Sequence, residues 1–103
     1  MYRIISGTTP TLKFTFKDVE PSDIDRAVLT IKGSDRETIL TKNLSEGLVG
    51  GNYISWTLTQ TESLSLGSGT IKVMCNWVTR YGIRGASKEV SIRMAPNHIE
   101  EVI

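Results

Sequence analysis

Apolar and polar residues alternate with a period of two in run after run of this chain, which restricts it to β-strands that bury one face. Leu12, Phe14 and Phe16 alternate with Lys13, Thr15 and Lys17. Ala27, Leu29 and Ile31 alternate with Val28, Thr30 and Lys32, and Ile54, Trp56 and Leu58 with Ser55, Thr57 and Thr59. The longest run sets Ile71, Val73, Cys75 and Trp77 on one side and Lys72, Met74, Asn76 and Val78 on the other. A last regular run sets Ala86, Val90, Ile92 and Met94 against Glu89, Ser91 and Arg93, with Lys88 at a rim where it breaks the apolar row. Shorter strands are expected at Tyr2 to Ile5 and at about Thr38 to Lys42.

Turn chemistry separates these runs. Gly50-Gly51-Asn52 offers positive φ for a tight hairpin between Val49 and Tyr53, and Tyr81-Gly82 does the same between the two longest runs. The stretch Asp18 to Asp25, with Pro21 and Ser22, reads as a connection from one sheet to the next. Thr59-Gln60-Thr61-Glu62 is a capping-box pattern with Gly67 as a stop, so a single helical turn over Gln60 to Leu66 is expected to plug one end with Leu64 and Leu66. About seven antiparallel strands at a spacing of roughly ten residues predict an all-β fold, an immunoglobulin-like β-sandwich rather than a five-stranded barrel. A length of 103 residues fits one domain, with 96–103 as a C-terminal tail.

Twelve Lys/Arg against eleven Asp/Glu leave a formal charge of +1, with the cations dispersed along the chain. Long-range steering toward nucleic acid or an anionic membrane is therefore not expected. No apolar run reaches the length of a bilayer span. A single cysteine, Cys75, excludes an intrachain disulfide and favours folding under reducing conditions.

Candidates for chemistry are isolated. His98, the lone histidine, lies in the tail, and a lone tail imidazole is poorly placed to build a triad. Cys75 shares a face with Val73 and Trp77, where a thiol packs as a small hydrophobe and its thiolate is disfavoured. Asp18, Glu20, Asp23 and Asp25 supply hard oxygen atoms for calcium but lack the D-x-D-x-D-G run that organises a loop, so Asp23 and Asp25 are expected to bond turn backbone. Gly47, Gly50 and Gly51 are followed by no G-K-[ST] and no helix, which argues against a phosphate cradle. Phe14, Phe16, Trp56 and Trp77 fall on the apolar side of their strands, so core packing is expected in place of a stacking platform. These readings predict no catalytic residues, no metal, no cofactor and no enzyme activity.

Met74, Val78 and Val28 lie on the polar side of their strands and together would make an outer apolar patch. Two readings of it stay open: the tail covers it through Ile99, Val102 and Ile103, or it is left for a partner, a second copy of the chain included. The candidate interaction surface is therefore Val28, Met74, Val78, Ile99, Val102 and Ile103.

The opening Ile4-Ile5-Ser6-Gly7-Thr8-Thr9-Pro10 and the following Leu12-Lys13-Phe14-Thr15-Phe16 resemble the start of small prophage-encoded structural proteins of Gram-positive bacteria. The likeness continues through Asp23-Ile24, Leu58-Thr59-Gln60-Thr61-Glu62-Ser63-Leu64, Gly69, Ala86-Ser87 and Glu101-Val102-Ile103. The chain is also similar to the N-terminal immunoglobulin-like domain of phage baseplate upper proteins, some of which carry a distal host-binding region that this sequence does not show. The resemblance implies a non-catalytic virion component, associated with the tail or baseplate, made in the bacterial cytoplasm and contacting other phage structural proteins. The charge balance gives no reason to expect a nucleic-acid or membrane partner. The alternative is a carbohydrate- or cell-wall-binding module working through Tyr2, Tyr53, Tyr81 or an exposed tryptophan.

Overall fold

Where the alternation is longest, the chain forms its central strand. The computed structural model describes residues 2–35, 37 and 39–97. Among them the strands are β1 (Tyr2–Ile5), β2 (Thr11–Thr15), β3 (Ile24–Lys32), β4 (Ile39–Asn43), β5 (Leu48–Val49), β6 (Tyr53–Thr57), β7 (Gly69–Thr79), β8 (Arg84–Ala86) and β9 (Val90–Ala95). One helix, α1 (Gln60–Ser65), joins β6 to β7. Nine described strands replace the expected seven, because Leu48–Val49 forms a short strand of its own and the last run divides into β8 and β9.

The strands make two sheets. The larger has the order β1-β9-β7-β3-β4, with β8 pairing the other half of the β7 edge that β9 occupies, and the smaller has the order β2-β6-β5. The chain crosses between sheets at 6–10 and again over Asp18 to Asp23, where a 3-10 turn (Pro21–Asp23) leads into β3. All pairs are antiparallel except β1 with β9, a parallel pair that corrects the expectation of antiparallel strands throughout. The exception follows from the topology, since the first and last strands of the large sheet run the same way and lie side by side.

Both sheets contribute to one core. Leu12, Phe16, Ile54, Trp56 and Leu58 come from the small sheet and its ends, and Ala27, Leu29, Ile31, Ile71, Val73, Cys75, Ile92 and Met94 from the large one. Phe16 meets Trp77 edge to face at 5.0 Å and 88°, a favoured aromatic geometry that couples the sheets. Helix α1 closes one end as its sequence predicts: the Thr59 hydroxyl accepts from the Glu62 N–H at 3.1 Å, and the Thr59 N–H donates to the Glu62 carboxylate at 2.8 Å. Leu66 is buried behind the helix, Leu64 is half-buried, and Ser63 Oγ accepts from the Gly7 N–H at 3.1 Å.

The break in the last run is a bulge. Asn76 pairs with Ala86 and Val73 with Val90, so Ser87, Lys88 and Glu89 stand opposite Met74 and Cys75 alone. The extra residue reverses the parity of the strand. Val90, Ile92 and Met94 turn to the core, while Ala86 is exposed, correcting its expected place on their face. Ser87 holds the bulge by donating its N–H to the Cys75 carbonyl at 2.8 Å and accepting the Cys75 N–H on its hydroxyl at 2.9 Å.

The two expected hairpins form for different reasons. Gly82 has φ +85°, as a left-handed turn requires. Gly50 and Gly51 do not adopt positive φ. Gly50 is instead needed for space, since a Cβ there would collide with the Tyr53 ring.

Candidate interaction surface

Strand pairing decides which side chains share a face. On the outer side of the large sheet, away from the core, Val28 stands opposite Asn76, Thr30 opposite Met74 and Arg26 opposite Val78. Val28, Met74 and Val78 therefore surround Asn76, and all three are half-buried. A shallow hollow of about 230 Å³ lies here, lined by Arg26, Val28, Asn76, Trp77, Val78 and Arg84. Ile99, Val102 and Ile103, the other half of the expected surface, lie outside the described residues, as does His98.

The same register gathers cations that the sequence spreads over five strands. Arg26, Val78 and Arg84 form one row across β3, β7 and β8. Lys32 and Lys72 face each other directly on β3 and β7, and Arg3 and Arg93 do so on β1 and β9. All six cationic side chains are exposed. Lys72 Nζ donates to Ser91 Oγ at 2.6 Å. Charge composition conceals this face because several carboxylates lie off it: Asp18, Glu20 and Asp23 precede β3 and Glu62 sits on α1, while Asp25, next to Arg26 in β3, borders it.

A second concavity, about 400 Å³, opens between β1 of the large sheet and β2 of the small one. Its floor is apolar, from Ile4, Leu12, Val73 and Ile92, with Tyr2 and Lys13 exposed beside it. The aromatic candidates do not converge on it. Tyr2 is level with Ile92 and thus with Ile71, whereas Tyr81 lies beyond the far end of β7, about 30 Å away at the usual strand rise. Tyr53 lies beneath Lys13 Nζ at 4.3 Å, Trp56 is buried with its Nε1 donating to the Asn43 carbonyl at 3.0 Å, and Trp77 packs on Phe16.

Cys75 is fully buried, and burial pushes its thiol up to about 11. In the acidic connection the Asp23 carboxylate pairs with the Arg80 guanidinium at 2.8 Å, correcting the expectation that its side chain serves turn backbone. The described residues contain no group of three or more His, Cys, Asp or Glu arranged to hold a metal. Among them no helix is long and apolar enough to cross a membrane.

Sequence pattern also missed an inward lysine. Lys42 stands opposite Leu29 on the core side of edge strand β4, and its Nζ reaches the Glu62 carboxylate at 2.9 Å. Burial raises the Glu62 pKa, but hydrogen bonds from Lys42 and the Thr59 N–H, with the charge of Lys42, outweigh it and hold the carboxyl below its ordinary value. The signal was the polar residue of a short edge strand, where an inward charge discourages edge-to-edge pairing.

The fold and surface thus define a mostly β protein of two sheets sharing a core, with a cationic outer face centred on three apolar residues. No protein-family model and no curated protein matches the chain.

Proposed function

We propose that this chain is a non-catalytic interaction module of a bacteriophage particle, associated with the tail or baseplate, and that its two sheets form an immunoglobulin-like sandwich. The phage part of this reading is supported by the sequence resemblance, which runs from Ile4 to the closing Glu101-Val102-Ile103. The sandwich reading is supported by the shared core and by a chain that passes back and forth between the two sheets. The interaction part is carried by one observation: strand register brings Val28, Met74 and Val78 together around Asn76 on the outer face. Mass spectrometry of purified particles from the bacterium encoding the chain tests it. The reading expects the chain in intact particles, and its absence would refute the assignment.

A cell-wall carbohydrate module is the second reading, favoured by the 72% exposure of Tyr2 beside the cleft between β1 and β2. Titration with cell-wall oligosaccharide, followed at the Tyr2 ring resonances, tests it. Unmoved resonances at millimolar sugar would remove this reading.

A further inference from the structure

We infer that the outer face of the large sheet docks an acidic protein surface, with partner carboxylates meeting its cations and an apolar partner group seated among Val28, Met74 and Val78. This rests on reading that face as the interaction surface and adds the chemistry of what it binds.

Three observations carry the inference. The first is the two like-charged pairs, Lys32 with Lys72 and Arg3 with Arg93, each directly across a strand pair. Like charges placed this way destabilise a sheet, and the attraction of an anionic partner to both members of a pair offsets that repulsion. The second is the local imbalance. Positions of that face fixed by strand pairing carry Arg3, Arg26, Lys32, Lys72, Arg84 and Arg93 and no Asp or Glu. Two carboxylates border it: Asp25, at the irregularity between Ile24 and Arg26, and Glu89, in the 87–89 bulge beside Lys88. The third is the half-buried apolar centre within a charged surround, the arrangement of a protein interface with a dry middle and a polar rim.

Nucleic acid fits the face less well. No paired position on it carries an aromatic ring on which a base could stack, and a broad sheet face offers no projecting element to enter a groove. An acidic, partly apolar protein segment uses both the cations and the centre.

The test is binding of two synthetic peptides of equal negative charge, one alternating glutamate with leucine and the other glutamate with serine, alongside a short DNA duplex. The glutamate–leucine peptide is expected to bind the intact chain best, and to weaken markedly as salt rises from about 50 to about 300 mM and screening increases. Replacing Lys72→Gln with Arg93→Gln should weaken it by about tenfold or more. Lys13→Gln with Lys17→Gln, away from this face, should leave affinity unchanged. Circular dichroism and the urea midpoint establish that each variant is folded, and Lys32→Gln repeats the test if the double variant is not. Absence of peptide binding at millimolar concentration would overturn the inference, as would equal loss in the Lys13/Lys17 variant or tighter binding of the duplex. Equal affinity for the serine peptide would overturn the role of Val28, Met74 and Val78. Absence of the chain from phage particles would refute the proposed particle role while leaving this binding result standing.

Discussion

Lys32 and Lys72 lie directly opposite one another on neighbouring strands β3 and β7, two exposed ammonium groups on the outer face of the large sheet. Their repulsion is screened by salt, because exposed charges interact through high-dielectric solvent. Lys32→Gln should raise the urea midpoint at low ionic strength. The gain should vanish near 1 M salt, where the Debye length is about 3 Å. Urea is the suitable denaturant, since guanidinium would itself screen the pair. A midpoint change independent of salt would assign the effect to strand propensity.

Glu62 has two roles, capping α1 and pairing with Lys42, and removing it strips both at once. Glu62→Ala should cost about 2–4 kcal/mol, because the cap is lost and a nearly buried ammonium is left without its partner. Lys42→Met should cost less than about 1 kcal/mol, since an apolar replacement fits the core side of β4. Chemical denaturation of the two variants gives the comparison.

The same carboxylate predicts a pH dependence. Its folded pKa is depressed, so its contribution is full above the unfolded carboxylate pKa and is lost as pH falls through the folded value. Stability of the parent chain should therefore decline on the acid side of the carboxylate range. Glu62→Gln should flatten that part of the profile, as measured by urea midpoints at successive pH values.

At the bulge, the Ser87 hydroxyl is the acceptor for the Cys75 N–H on the central strand. Ser87→Ala leaves that N–H without a partner and should destabilise the chain by about 1–3 kcal/mol. Amide exchange at Cys75 should quicken relative to Val73, whose pairing with Val90 is untouched.

Gly85 lies against Trp77, where an added Cβ would stand 2.5 Å from the indole ring and force it to shift. Gly85→Ala should cost about 1–3 kcal/mol through overpacking and should alter near-ultraviolet dichroism by displacing Trp77 from Phe16.

Much of this fold was legible because side-chain parity is local. Leu12, Leu29, Trp56 and Val73 sit inward as their alternation requires, and the Thr59–Glu62 capping box forms around a helix that begins where it predicts. What escaped the sequence depends on pairing between distant strands. Ala86 changed sides because one extra residue at 87–89 reverses the parity, and alternation alone does not show which strand is bulged. The candidate surface was half legible for the same reason: Val28, Met74 and Val78 could be placed on outer faces strand by strand. That Lys32 meets Lys72, and Arg3 meets Arg93, follows only from register.

The central claim is that the chain works in a phage particle through the outer face of its large sheet. Quantitative mass spectrometry of particles purified from hosts expressing either the parent chain or a folded Lys72→Glu variant tests it most directly. The account predicts the parent chain in the particles and the variant strongly depleted. Both chains missing from particles, or both present at equal abundance, would contradict it.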